Sequence, residues 1–354
     1  MTSSWTYRLE HLKRLSGEKG IFEHANGITP RIDLGYCTDD NARLLVVLCR
    51  EPDEGTAAHL ARLALNFVLD AQDDAGLIHN RFARDGYWRW VDDATTEDCW
   101  GRAVWGLGVA AASHPHSGVQ AMARWGFEKS VHQRSPWPRA MAFAALGAAD
   151  VLLFDPDATA ARNLLVDAVV ALDGRSVGSP WPEARLTYAN AAVPEALLAA
   201  GAALESPQVI DRGLELLSWL MDLQKSQGRL SVVGVGGRPA GKREVQFDQQ
   251  PIEVAAVADA CWRAWMITGD HRWLKEIAGA ADWFTGSNDA NCVMFDHRTG
   301  GSYDGLGHSA VNLNEGAEST LALVSTMQRA RGLLPMIRRT ANVQSVWTEA
   351  RHAG

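Results

Sequence analysis

Two kinds of helical segment alternate along the chain, and this alternation restricts the fold more than any other feature. Apolar residues recur at three- and four-residue spacing, separated by Gly, Pro and Asp. Six segments are amphipathic, at about 5–16, 56–71, 118–132, 157–172, 207–224 and 271–286. Six others are apolar on nearly every side, at about 39–50, 97–112, 137–154, 189–204, 251–268 and 315–331. Because a helix that is apolar all round must be buried, we predict an all-α (α/α)6 barrel with the second set inside.

The predicted barrel accounts for nearly the whole sequence. The chain has 354 residues, 47% of them hydrophobic, which is enough for one large core. We therefore predict a single barrel domain over residues 1–331 and a C-terminal tail over 332–354.

The predicted loops differ in length between the two ends of the barrel. Links that lead from an outer helix to the next inner one span 17–38, 72–96, 133–136, 173–188, 225–250 and 287–314, and five of these six are long. Loops longer than about 12–15 residues in a compact domain are usually functional. We expect short β-hairpins in them, for example at Gly76–Phe82 and Arg229–Gly234, and a functional face at the amino ends of the inner helices.

Charge and cysteine content exclude several classes of partner. The net charge is −8 and no basic stripe runs along the chain, so a nucleic-acid partner is not expected. The five cysteines are far apart and form no CxxC pair, which predicts reduced thiols. The spacing of histidines and cysteines predicts neither a metal site nor a cofactor. No apolar signal or membrane segment is visible, so we expect a cytoplasmic protein without a membrane partner.

Polar residues gather where the inner helices begin. Four of the six starts carry two acids, or an acid with an amide, whereas one capping residue per helix would suffice. For each acid alone, capping is the simpler interpretation. A concave face with several carboxylates, amides and indoles suits a neutral, polyhydroxylated ligand such as an oligo- or polysaccharide.

Half of the 28 aromatic residues are tryptophans, and their positions suggest two roles. Those in or just after the long loops are candidates to stack on sugar rings: Trp88, Trp90, Trp100, Trp137 and Trp181. Those within helical patterns are expected to be packing residues: Trp105, Trp219, Trp262, Trp265, Trp273 and Trp283. The remainder are assigned to the outer surface or the tail: Trp5, Trp125 and Trp347.

Two stretches, 27–43 and 312–320, resemble the six-hairpin glycosidase superfamily. They contain the motifs Thr-Asp-Asp-Asn and Asn-Leu-Asn-Glu-Gly-Ala-Glu-Ser-Thr. The resemblance covers nearly the whole chain, and its actinobacterial form is similar to hydrolases that trim methylmannose polysaccharides. It implies an endo-acting α-1,4-mannosidase, and a functional link to a glycosyltransferase.

Glycosidic cleavage uses one protonated and one ionised carboxyl group, and inversion at the anomeric carbon is expected here. The Thr-Asp-Asp-Asn and Gln-Gln-Pro-Ile-Glu motifs, matched residue by residue, place Asp39, Asp40 and Glu253 as candidates for this pair. Further residues of the same face are predicted to bind substrate: Arg31, Tyr36, Glu97, Asp98, Trp100, Trp137, Arg139, Tyr188, Asn190, Gln250, Asp304, His308 and Glu315.

Two other functions remain open at this point. A sugar epimerase or isomerase can use the same barrel, but proton transfer at carbon would call for paired histidines where this chain carries carboxylates. A noncatalytic carbohydrate-binding partner of a glycosyltransferase is the other alternative.

Overall fold

The computed structural model describes residues 5–176 and 178–333, without the side chain of Asp85. Within this part of the chain there are twelve α-helices. They are α1 Glu10–Leu15, α2 Thr38–Leu48, α3 Gly55–Asp70, α4 Asp98–Ser113, α5 Ser117–Ser130, α6 Pro138–Phe154, α7 Thr159–Leu172, α8 Ala192–Ala203, α9 Pro207–Leu223, α10 Pro251–Thr268, α11 Arg272–Phe284 and α12 at 317–333. Of the tail predicted over 332–354, residues 332 and 333 belong to α12, and the remainder lies outside the described residues.

The even-numbered helices form the inner ring. Around it α2 contacts α4, α4 contacts α6, α6 contacts α8, and α8 contacts α10. Helix α12 closes the ring on both sides, because Ser325 donates to Asp259 of α10 at 2.8 Å and accepts from Arg50, just after α2, at 2.7 Å. The (α/α)6 barrel predicted from the alternating segments is therefore confirmed.

Small residues allow the inner helices to approach one another closely. A Cβ atom added at Gly101 of α4 would lie 2.3 Å from the carbonyl oxygen of Ala140 in α6. At Gly108 it would lie 2.5 Å from the carbonyl oxygen of Gly147, again in α6. The Ala and Gly content of the apolar segments thus reflects backbone contact between neighbouring inner helices.

The first outer helix is shorter than the sequence suggested. The predicted helix over 5–16 exists only as Glu10–Leu15. Trp5, assigned to the outer surface or tail, is instead buried and donates its indole N–H to Asp282 of α11 at 3.3 Å. The assignment of Trp5 was wrong because the segment before α1 packs onto the barrel instead of leaving it.

Short antiparallel strands occupy the long loops, as expected. They are β1 Ala25–Asn26, β2 Thr29–Pro30, β3 Tyr36–Cys37, β4 Arg81–Asp85, β5 Tyr87–Trp90, β6 Arg185–Leu186, β7 Lys225–Ser226, β8 Arg229–Leu230, β9 Arg238–Pro239, β10 Gly305–Leu306 and β11 Val311–Asn312. The order β3-β4-β5 makes a three-stranded sheet, while β6 pairs with β9 and the others form hairpins. All five cysteines are free thiols. In the described part of the chain, every helix falls short of the length and apolar character that a membrane crossing requires.

Candidate active site

A cavity of about 290 Å³ opens where the inner helices begin. We call it the acidic cavity. It is lined by Glu23, His24, Cys37, Asp39, Asp40, Arg43, Asp248, Gln250, Asp304, Asn312, Gly316, Glu318 and Ser319. Six of these thirteen residues are acids and one is a histidine.

Asp39 and Asp40 enter the acidic cavity from the first turn of α2. Asp39 accepts a hydrogen bond from Asn80 at 3.1 Å, and its other carboxylate oxygen lies 3.4 Å from Nε of Arg102. Burial raises the pKa of Asp39, while Arg102 and Arg43 act in the opposite direction. Asp40 is more deeply buried, and burial raises its pKa to about 6 against the opposing charge of Arg43.

Arg43 connects two inner helices at the wall of the acidic cavity. Its guanidinium group contacts Asp40 at 2.5 Å and Glu318 of α12 at 2.7 Å. The thiol of Cys37 donates to the second oxygen of Asp40 at 3.1 Å. Both oxygens of Asp40 therefore have partners, and this carboxylate is held in one position.

Two acids from other loops complete the cavity. Asp248 precedes α10, burial raises its pKa, and within the described residues its buried Oδ1 has no hydrogen-bond partner. Asp304 accepts from Ser319 at 2.5 Å and from the backbone N–H of Gly316 at 2.8 Å. Burial also raises the pKa of Asp304, and these two hydrogen bonds oppose that rise.

Glu253 lies in the first turn of α10 but faces the loop before α8. Its carboxylate accepts from Asn190 twice, from the backbone N–H at 3.3 Å and from Nδ2 at 2.9 Å, and also from the backbone N–H of Ala189. The side chain is buried and lines neither the acidic cavity nor any other described cavity, while burial raises its pKa to about 7. The geometry gives it a role in fixing this loop.

A second cavity, of about 350 Å³, opens on the same face. We call it the aromatic cavity. Its lining combines five of the predicted substrate-binding residues with three others: Glu97, Asp98, Trp137, Arg139 and Tyr188, with Pro138, Glu183 and Thr187. Trp137 caps α6 and is 56% exposed, so much of its side chain is accessible to a ligand.

Several predicted site residues have their side chains buried in the protein interior. Trp100 is fully buried and donates its indole N–H to the carbonyl of Ser130 at 3.1 Å. Tyr36 is buried and stacks on Phe22 with 4.3 Å between ring centroids. The prediction that both contact sugar was wrong, because the Trp100 ring lies in the main core and the Tyr36 ring packs among aromatic side chains beneath the loops.

Four more predicted binding residues lie away from both cavities. Glu315 is buried and accepts from Thr299 at 2.6 Å, and Asn190 is buried against Glu253 and Arg139. Arg31 is exposed and pairs with Asp33 at 2.8 Å. His308 is exposed, and its ring contacts Phe247 at 5.1 Å. Of the remaining predictions, Gln250 and Asp304 line the acidic cavity.

The other tryptophans lie either in the loop strands or in the core. Trp181, a predicted stacking residue, is fully buried and stacks on Trp219 at 5.7 Å, so that prediction was wrong. Trp88 and Trp90 lie in β5, pack against Phe82 of β4, and line neither cavity. The packing role predicted for two others is confirmed, since both are fully buried: Trp273 and Trp283.

A further cavity lies at the opposite end of the barrel, at the carboxyl ends of the inner helices. It has a volume of about 390 Å³. Three arginines line it, and each is paired with an acid: Arg50 and Arg329 with Asp259, and Arg263 with Glu195 and Asp150.

One set of potential metal ligands lies in the acidic cavity. Ligand atoms of Glu23, Cys37 and Asp40 lie within 4.8 Å of one another. Each is already engaged, since Glu23 pairs with Arg81, and Cys37 and Asp40 bond to each other. Burial also raises the pKa of the Cys37 thiol well above its usual value, which disfavours the thiolate that a metal would bind.

Several residues of the acidic cavity were not predicted from the sequence. Glu23 and Asp248 are in loops without helical periodicity, and Arg43 lies one turn inside α2. Asp248 directly precedes the Gln-Gln-Pro sequence that begins α10, so the rule that selected the polar starts of inner helices would have found it.

No protein-family model matches the sequence, and no curated protein sequence matches it. Several solved structures do match it, and they share its fold. The cellobiose 2-epimerase of Bacillus thermoamylovorans has a TM-score of 0.66 at 10% identity, with 91% of this chain and 96% of that chain covered. A sugar epimerase from a ruminal bacterium has a TM-score of 0.65 at 13% identity, covering 90% and 94%. The GH76 α-mannanase of Bacteroides thetaiotaomicron has a TM-score of 0.58 at 12% identity, covering 92% and 93%. At these identities the similarity establishes the shared fold.

Proposed function

We propose that this chain is a carbohydrate-active enzyme, specifically a glycoside hydrolase whose reaction takes place in the acidic cavity. The observation that carries the proposal is the convergence of six acids on one cavity at the functional face. Carboxylic acids and carboxylates are the groups that glycosidic cleavage uses, and they also bond well to sugar hydroxyls. The structural similarity to an α-mannanase supports the same reaction class.

We assign the protonated partner to Asp248. Burial raises its pKa and no hydrogen bond within the described residues stabilises its Oδ1, so the neutral form is favoured. We assign the ionised partner to Asp39, because the positive charges of Arg102 and Arg43 oppose the rise that burial causes in its pKa. Asp40, paired on both oxygens, is a positioning residue in this scheme.

The proposed cleavage involves two proton transfers. Asp248 donates its proton to the glycosidic oxygen while the bond between that oxygen and the anomeric carbon breaks. A water molecule attacks the anomeric carbon and gives its proton to Asp39. Asp248 ends ionised and Asp39 protonated, and exchange with solvent restores both. Attack by water from the opposite face inverts the anomeric carbon.

For the substrate we propose a neutral mannose-based oligo- or polysaccharide, with endo cleavage of α-1,4 bonds in methylated mannans as the specific case. The resemblance of the two sequence motifs and the α-mannanase fold support mannose. An intracellular role beside a glycosyltransferase belongs to the same proposal.

Epimerisation is the second candidate, because epimerases and isomerases are prominent among the similar structures. The single histidine of the acidic cavity, His24, is the feature that would serve it. Proton removal and return at a sugar carbon is better served by two such groups, whereas six acids favour hydrolysis.

One experiment separates these functions. The protein is incubated with α- and β-linked mannans, glucans and methylated mannosides, and product length and anomeric configuration are followed by NMR. New reducing ends with inverted configuration are the expected result. A changed sugar at constant chain length would establish the epimerase instead, and tight binding without any product would establish a noncatalytic carbohydrate-binding protein.

A further inference from the structure

The aromatic cavity has the features of a ligand site of its own. It pairs an exposed indole, Trp137, with a 40% exposed tyrosine, Tyr188, and with charged groups. Aromatic faces pack against the apolar C–H faces of sugar rings, while charged and amide groups bond to the hydroxyls at the ring edge.

Arg139 gives an independent sign that this cavity binds a ligand. The residue is 3% exposed and lines the cavity. Nε donates to the carbonyl of Tyr188 at 2.8 Å, and Nη2 contacts Glu183 at 2.9 Å. Within the described residues, the buried Nη1 has no hydrogen-bond partner. An unpaired buried guanidinium N–H is costly, and a ligand hydroxyl in the cavity would supply the acceptor.

The two cavities adjoin through the start of α4. Tyr188 donates its hydroxyl to Asp98 at 2.5 Å, and Asp98 lies close enough to Asp39 to contribute to its raised pKa. Arg102, one turn after Asp98, contacts Asp39 directly. A carboxylate–guanidinium wall thus separates the acidic cavity from the aromatic one, and both open on the same face.

We propose that the aromatic cavity binds a second sugar unit of the chain whose glycosidic bond lies in the acidic cavity, with Trp137 as its stacking surface and Arg139 as its hydroxyl donor. The substrate is then an oligosaccharide long enough to occupy both cavities. This inference rests on the proposed function, since it assumes that carbohydrate occupies the acidic cavity.

The test compares Trp137→Ala with the unchanged protein and with Trp125→Ala. Trp125 is a matched control because it is 63% exposed on the outer helix α5 and lines none of the described cavities. Linear α-1,4-linked mannose oligosaccharides of increasing length are the probe, with cello-oligosaccharides of the same lengths in parallel. Cleavage rates and dissociation constants are measured for each length.

We expect catalytic efficiency and affinity to rise about tenfold or more once the oligosaccharide reaches the aromatic cavity. Trp137→Ala should remove this rise through a higher KM for the longer oligosaccharides. Trp125→Ala should keep the rise, and Trp137→Phe should retain most of it because an aromatic ring remains.

The measurements distinguish loss of the second sugar site from absence of hydrolase activity. Cleavage that is independent of length, or a rise that survives Trp137→Ala, overturns the second sugar site and leaves the hydrolase intact. Length-dependent binding that Trp137→Ala abolishes, without any cleavage, supports the second sugar site and overturns the hydrolase.

Discussion

Glu253 of α10 is hydrogen-bonded to Asn190, which lies just before α8: Nδ2 of Asn190 donates to the carboxylate at 2.9 Å. The same carboxylate accepts the backbone N–H groups of Asn190 and Ala189. Asn190 in turn accepts from Arg139 at 3.2 Å and from the backbone N–H of Thr187 at 2.9 Å. Glu253 thereby positions the loop that forms one wall of the aromatic cavity.

Glu253→Gln should lower stability more than activity per folded molecule. The amide that replaces one carboxylate oxygen would oppose a backbone N–H, leaving a buried donor unpaired at a cost of about 1–3 kcal/mol. Chemical denaturation measures this loss in the free energy of unfolding. Unchanged stability together with complete loss of cleavage would return Glu253 to the catalytic role that the sequence suggested.

Asp39→Asn and Asp248→Asn should each abolish most activity while leaving the fold intact. Losing a general acid or base typically costs about 10²–10⁴-fold in rate. Release of reducing ends under substrate saturation measures kcat, and thermal unfolding monitors the fold. Asp167→Asn is the control, since this acid of the outer helix α7 pairs with Arg134 and lines none of the described cavities. Near-normal rates in either cavity variant would exclude that residue from the reacting pair.

The pH dependence of cleavage should identify Asp248. A general acid is active while protonated, so its raised pKa moves the alkaline limb of the pH profile above the ordinary aspartate value. Residual activity of Asp248→Asn, with a substrate whose leaving group needs no proton, should lose this alkaline limb. If the alkaline limb persists in Asp248→Asn, it reflects the titration of another group.

Trp100→Ala should destabilise the protein, whereas Trp137→Ala should not. Trp100, in the first turn of α4, is fully buried against the end of α5, and removing such a side chain costs about 3–5 kcal/mol. Trp137 is mostly exposed, so its loss leaves little cavity. Paired denaturation curves provide the comparison, and similar stabilities for the two variants would contradict it.

The sequence predicted the barrel well because burial of whole helices leaves a strong periodic pattern. The site was predicted only in part. Asp39 and Asp40 are adjacent and both line the acidic cavity, yet Trp100, two residues after Asp98, packs inward. At a helix start the capping geometry and the neighbouring loop decide which side chain faces the cavity, and these are set by tertiary contacts. Glu253 shows the same limit, because its carboxylate accepts hydrogen bonds from loop 187–190 and does not line the acidic cavity.

Arg43 should be essential for keeping Asp40 buried. Arg43→Met removes the only cation within 4 Å of Asp40 among the described residues and also releases Glu318 of α12. Breaking one side of a buried pair costs about 3–5 kcal/mol because a buried charge remains.

This cost should depend on pH in a defined direction. The folded-state pKa of Asp40, about 6, already exceeds its ordinary 3.8, so its contribution to stability falls as pH rises between these values. Without Arg43 the folded-state pKa rises further and the fall continues above pH 6. The difference in unfolding free energy between the unchanged protein and Arg43→Met should therefore grow from pH 6 upward and be smallest near pH 4. In the double variant Arg43→Met with Asp40→Asn this pH dependence should disappear, since the buried charge is gone, and its persistence there would assign it to Glu318.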